Sequence, residues 1–420
     1  MRVRHSAVGL AVALLCTGGL AACGSSSSSS TGSSGSPASG TTTSATATNS
    51  ANTGGNKSPI VLELMSIQVP GVTLLTDLAT GANTAAKQIN AAGGLGGRQV
   101  EIHTCNTMSN AAASTACAHK TLADHPVAEF GCETSWFSSG LPVYAAAKVP
   151  SFNCPNTPED FHNAYSFGMM AGAVGDLRGL ANWLCTQPSI KNVTMMLDDL
   201  PTFHVVPSAV SPILKSCGKN ILSPVFYPLA SVDLTPYVNR VVQSKPDFVF
   251  LLAIGPQVVQ IFKGFQTQGF PASKVGGPDT DFTYSTVVKP AGSAMDGAYS
   301  ANQFVSWGDT ADSDVASYTA AIKKTGQDPT NASIEWGYAM VEWFATVAKA
   351  TGYANFDSAS LTKFMSTQTN VHIPLSRTLI NPGPAQYPQQ KQPYIQITQW
   401  KNGKMNPVST RAGNGWVSGF

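Results

Sequence analysis

Apolar positions along this chain switch repeatedly between two spacings, and the switching predicts strands and helices in succession. The run 59–65 is apolar enough for a short buried strand. Leu74, Leu75, Leu78, Ala82, Ala85, Ala86 and Ile89 then form a stripe at helical spacing over 74–92. Gly93, Gly94, Gly96 and Gly97 end that helix, because clustered glycines favour a left-handed exit and a tight turn. Strands over 99–103, 127–131 and 149–153 alternate with helices over 111–123 and 138–148. A second cycle brings helices over 175–185, 205–217, 235–243 and 256–268, with strands over 192–197, 221–227 and 247–253 and near 275. A strand over 297–304, helices over 313–325, 333–350 and 358–365, and arms over 394–400 and 404–408 complete the pattern. Asn402-Gly403 between the two arms is a type I′ hairpin signal.

Two such successions predict an α/β fold of two doubly wound parallel-sheet lobes. Helices recur after a crossing near residue 300, so both lobes are expected to be discontinuous: 58–168 with 300–370, and 169–299 with 371–420. Several crossings make a multi-strand hinge. The ligand cleft is expected between the lobes, since parallel sheets bind at the carboxyl ends of their strands.

The first residues depart from this pattern. Arg2 and Arg4 precede an apolar run over 7–16 that is too short to remain in a bilayer as a spanning helix. It closes on Leu20-Ala21-Ala22-Cys23, which resembles a bacterial lipobox. The expectation is a signal over 1–22, lipid on Cys23, and anchoring to the cell membrane through that lipid alone. Residues 24–56 hold no charge, no aromatic and no Leu, Ile or Val, so 23–57 reads as a tether. Its root-mean-square reach would be roughly 30 Å.

Composition narrows the function. Only 11% of the 420 residues are charged against 43% hydrophobic, with 25 Lys and Arg facing 23 Asp and Glu. No long-range field is available to attract nucleic acid. Beyond Cys16 and Cys23 stand Cys105, Cys117, Cys132, Cys154, Cys185 and Cys217, an even set in an exported chain. That suggests disulfides, with sequential pairing the economical arrangement among the possible ones. No Cys-x-x-Cys or Cys-x-x-His pair points to a metal, and no phosphate loop or nucleophile elbow points to an enzyme. Asp198-Asp199 is an acidic pair that an exported enzyme could use.

The segment 85–102, with its helix, glycine turn and strand, resembles the signature of the branched-chain-amino-acid type of periplasmic binding protein. The resemblance extends through 131–150, Asp198-Asp199 and the Asn402-Gly403 hairpin. It implies the periplasmic binding protein type I fold and a monomeric solute receptor. Such a receptor delivers an amino acid, or a related small carboxylate or amide, to an ABC permease and its ATPase subunits. No cofactor is implied, and a ligand sensor is the alternative. The resemblance places ligand contacts at Ser135 after the third strand and at Asn156 and Thr157 after the fourth. It places an acid for a ligand ammonium at Asp279 or Asp281. The loops 198–204 and 66–72, which carry the candidates Asp199 and Gln68, depart from the family's pattern, and Phe203 with Trp136 could line an aromatic pocket. Neutral donors at helix starts suit a ligand carboxylate, and the acids suit an ammonium.

Overall fold

The structure, a computed structural model, describes residues 58–70, 72–108, 110–131, 139–153, 163–169, 172–200, 203–305, 312–367, 371–377, 379–380, 394–408, 410 and 415–418. Ser135, Trp136, Asn156, Thr157, Cys23, Cys132 and Cys154 lie outside these residues.

The first sheet contains β1 (Ile60–Ser66), β2 (Val100–Asn106), β3 (Ala128–Gly131), β4 (Ser151–Asn153) and β5 (Ser166–Gly168). Its order is β2-β1-β3-β4-β5, with every pair parallel. A parallel sheet needs helices on both faces. Ile60, Leu62, Leu64, Phe130, Phe152 and Phe167 point into the larger core. That core is closed by α1 (Leu74–Ala91), whose stripe supplies Leu78, Ala82, Ala85 and Ala86. On the opposite face Met65 meets Cys117 of α2 (Ala111–Thr121) and Tyr144 of α3 (Leu141–Ala146). The glycine turn after α1 has the structural role that its position suggests. Gly94 has φ +75°, its amide bonds to Ile89 O at 2.9 Å, and a Cβ there would meet Arg98 O at 2.2 Å.

The second sheet is introduced by α4 (Gly172–Cys185). It contains β6 (Asn192–Asp198), β7 (Asn220–Ile221), β8 (Val225–Tyr227), β9 (Phe248–Leu252), β10 (Val275–Pro278) and β11 (Tyr299–Asn302). Its helices are α5 (Val206–Ser216), α6 (Thr235–Gln243), α7 (Pro256–Thr267), α8 (Asp279–Thr283) and α9 (Ser285–Ala291). The chain continues through α10 (Ser313–Lys324), α11 (Ala332–Thr351), α12 (Ser358–Thr367) and the small antiparallel pair β12 (Val371–His372) and β13 (Leu379–Ile380). It ends with β14 (Tyr394–Lys401), β15 (Lys404–Pro407) and β16 (Trp416–Ser418), which return to the second sheet. The order there is β15-β14-β11-β10-β9-β6-β7, with β14 antiparallel to β11 and to β15. Alternation in β9 explains why its sequence is apolar throughout. Phe248, Phe250 and Leu252 enter one core, whereas Val249 and Leu251 enter the other.

Three departures from the expected elements have local causes. The strand expected over 221–227 divides into β7 and β8, because Pro224 between them cannot donate to a ladder. The helix expected over 138–148 begins only at Leu141, with Pro142 in its first turn, and it stops before Lys148 at φ +59°. Residues 279–291, for which no element is predicted, form the short helices α8 and α9. The Asn402-Gly403 turn has φ +54° and +70°, as a type I′ turn requires, and pairs Lys401 with Lys404.

Candidate functional site

Carboxyl ends of parallel strands collect polar groups that strand hydrogen bonding leaves free. At the end of β1, Gln68 and Asn106 hold the loop against β2. The Gln68 amide donates to Asn106 Oδ1 at 2.9 Å, and Asn106 Nδ2 donates to Gln68 O at 2.8 Å. The Gln68 side chain caps α1, its Oε1 accepting from Thr76 Oγ1 at 2.9 Å and from the Thr76 amide at 3.3 Å. It takes the place of Thr73, which makes no capping bond and instead donates to Asp77 Oδ2 at 2.8 Å. Asn331 Nδ2 donates to the same oxygen at 2.9 Å, joining α1 to the start of α11. This loop is also packed against the second sheet, for Ile67 and Leu74 share a buried cluster with Tyr227, Leu251 and Phe282.

The second sheet presents acids. Asp198 ends β6 and is fully buried. Burial pushes its carboxyl up to about 7, against the opposing pull of Tyr227 and the Ile254 amide. Asp199 is half exposed and meets His204 Nε2 at 2.6 Å, while the His204 ring stacks on Phe226. Phe203 packs against the core of this sheet.

At the end of β10, Asp281 Oδ2 accepts from the Ala253 amide at 3.2 Å and so binds α8 to the end of β9. Asp279 is the inner of the two acids, 3% exposed, and shares a small cavity with Glu335 of α11, Thr283, Asn302 and Thr330. The cavity has room for about one water. Burial pushes both Asp279 and Glu335 upward, and for Glu335 the Asp279 charge adds to the effect. Thr283 Oγ1 accepts from the Ala332 amide, and Ser333 Oγ donates to Tyr284 Oη, both at 3.3 Å.

The structure thus brings Asp279 together with Glu335, whereas Asp281 meets the Ala253 amide, Asn331 meets Asp77 and Ser333 meets Tyr284; sequence reasoning missed Glu335, Asn331 and Ser333. Glu335 could have been noticed as an acid within a helix that is apolar on nearly every side. Among the expected contacts, Gln68 serves α1, Asp199 serves His204, and Phe203 serves the core.

Asp198 carries a pH prediction. Its pKa is higher folded than unfolded, so the folded chain holds the extra proton between about 4 and 7. The associated stability is complete below the unfolded value and is lost as pH rises through the folded one. The slope is about 1.4 kcal/mol per pH unit for one proton. Urea unfolding at pH 5 and pH 8 is expected to show a smaller difference for Asp198→Asn than for the parent. An undiminished difference would assign the slope to other groups.

Comparison with known proteins supplies the remaining context. Residues 70–404 match the periplasmic binding protein family. No curated protein sequence matches the chain. Among solved structures, the solute-binding protein of an ABC transporter from Rhodopseudomonas palustris BisB5, in complex with 3,4-dihydroxybenzoic acid, is 16% identical at a TM-score of 0.70, covering 87% of this chain and 98% of that one. A leucine-binding protein from Thermotoga maritima MSB8 is 14% identical at 0.71, over 83% and 98%. A fatty acid ABC transporter substrate-binding protein from Thermomonospora curvata is 15% identical at 0.71, over 87% and 94%.

Proposed function

This chain belongs to the periplasmic binding protein family, and from that membership we propose that it is an extracytoplasmic receptor for a small solute. The receptor hands its ligand to an ABC import permease and that permease's ATPase subunits, and performs no catalysis of its own. Two lobes, one built on the first sheet and one on the second, close on the solute by a hinge, and the permease reads the closed form. The observation that carries this reading is Asp281, held by the Ala253 amide where two parallel strands of the second sheet end. Asp281 offers a carboxylate to an ammonium or another donor of the ligand, with Asp279 and Glu335 supporting it from the buried side. Ser135 and Thr157 serve the ligand's acidic end.

The similar structures carry an aromatic acid, leucine and fatty acid in their names, and these classes define the compounds to screen. Thermal-shift measurement of the purified protein is expected to find one class that stabilises it, by about 2.7 kcal/mol at 100 times the dissociation constant. Asp281→Asn is expected to weaken that ligand about 10- to 100-fold, equivalent to about 1.4–2.7 kcal/mol, with the unliganded melting temperature retained. Silence across amino acids, amides, aromatic acids and fatty acids would count against a solute receptor. Unchanged affinity in Asp281→Asn would remove the acid from the site.

Lipid on Cys23 holds the receptor at the cell membrane through the 23–57 tether. In bacterial fractionation, Cys23→Ala is expected to move the protein from the membrane to the soluble fraction. Retention at the membrane would show a different attachment.

A further inference from the structure

Away from the proposed cleft, one cluster in the first sheet brings together ligand types that its chain positions do not suggest. Glu63 is the one charged residue of β1 and is fully buried in the strand. Neither of its carboxylate oxygens accepts a hydrogen bond. No lysine or arginine among the described residues forms an ion pair with it. Parallel register sets His103 of β2 directly beside it, and the turn that ends α2 brings in Asp124. His103 Nδ1 lies 3.4 Å from Glu63 Oε1 and 3.0 Å from Asp124 Oδ2. One donor atom from each of the three residues falls within 4.8 Å of the others.

We propose that Glu63, His103 and Asp124 form a zinc site that fastens β1 and β2 to the end of α2. Four ligands at zinc–ligand bonds of 2.0–2.1 Å sit about 3.3 Å apart along a tetrahedral edge, close to the two separations found here. Two carboxylates and a neutral imidazole balance the ion's charge. One imidazole nitrogen and two carboxylate oxygens suit zinc better than they suit calcium or magnesium, which prefer all-oxygen sets. Binding through Nδ1 leaves Nε2 to carry the proton, and Nε2 faces Glu101 Oε2 at 3.6 Å. Glu101 is therefore the positioning residue that orients the ring. Asp124 and His103 are partly exposed and provide the entry path, with water completing the coordination. The disulfide Cys105–Cys117 fastens the same strand to the same helix, so the two clamps stand side by side.

The test is calorimetric titration of the purified full-length protein, stripped with EDTA, with zinc and in parallel with manganese and calcium. One zinc per chain is expected, with micromolar or tighter affinity, and Co2+ in its place is expected to give tetrahedral visible bands. His103→Ala and Glu63→Gln are each expected to weaken zinc at least 100-fold and Glu101→Gln about 10-fold. His119→Ala, elsewhere on α2, is expected to change nothing. Absence of zinc binding at 100 micromolar, undiminished binding in His103→Ala, or tighter binding of calcium or manganese would each overturn the proposal. If Glu63→Gln does not fold, His103→Ala decides alone, because His103 stands at the surface of the strand.

Discussion

Gly337→Ala is expected to destabilise the protein by about 4 kcal/mol and lower its melting temperature by about 5 °C, although alanine is the better helix former. Helices α1 and α11 cross with almost nothing between them. A Cβ at Gly337 would stand 2.0 Å from Leu78 O and 3.1 Å from the Ala82 amide nitrogen. Across the contact, a Cβ at Gly81 would stand 1.8 Å from Ile334 O. These neighbours are backbone atoms of a helix, so no rotamer change relieves the clash and the helices must separate. Separation would loosen a core in which α11 buries Trp336, Met340, Trp343, Phe344 and Val347. Overpacking commonly costs 1–3 kcal/mol, and displacement of a central helix places this site above that range. Propensity alone would stabilise the variant by about 1 kcal/mol, so the sign of the change decides the matter. A raised melting temperature would mean that the two helices are not in backbone contact.

Cys185→Ser with Cys217→Ser is expected to lower stability by about 4 kcal/mol, and Cys105→Ser with Cys117→Ser by about 3 kcal/mol. Both bridges are present: Cys105–Cys117 spans 12 residues and Cys185–Cys217 spans 32. Closing the longer loop removes more freedom from the unfolded chain, hence the larger effect. Each change is made in both partners, so that no free thiol is left to react. Cys185 ends α4 and Cys217 follows α5, two helices whose faces share Leu177, Leu184, Val210 and Leu214. The bridge therefore joins elements already packed together, and the native contacts should survive its loss. Urea unfolding of each double variant beside the parent measures the difference. Equal stability in both variants and the parent would refute the loop argument.

The elements that periodicity anticipated are those whose burial is simple. Helix α6 was bounded at the same residues by its pattern and by the structure, because Thr235-Pro236 opens it and its apolar positions face one way. Helices α8 and α9 escaped notice because five and seven residues are too few to display a period, and Pro290 interrupts the second. Sequential pairing of Cys105 with Cys117 and of Cys185 with Cys217 could be anticipated, since each pair lies on neighbouring elements.

The candidate site was less visible. Asp279 and Asp281 stand after a strand and could be named. Glu335, the neighbour of Asp279, lies in a helix that packs chiefly with the other sheet, and nothing local connects the two. The distant Asp77–Asn331 contact escaped for the same reason. Glu63 was open to notice as a lone acid in an apolar strand, but its pairing with His103 depends on strand register.

What the amino-acid sequence determined alone follows from local rules. Spacing specified strands and helices, Asn402-Gly403 specified a hairpin, and the sparse, balanced charge gave no reason to expect a nucleic-acid partner. What tertiary structure decided follows from packing between distant segments. It assigned Gln68 to a helix cap and Asp199 to His204, placed Glu335 against Asp279, and brought Glu63, His103 and Asp124 together. A side chain's neighbours set its solvation and charge environment, and those neighbours are fixed only when sheets choose their register and helices their crossing points. The sparse charge gains a further meaning in the fold. Several of the few acids present are buried, among them Glu63 of the proposed metal site and Asp279 and Glu335 behind the proposed ligand contact.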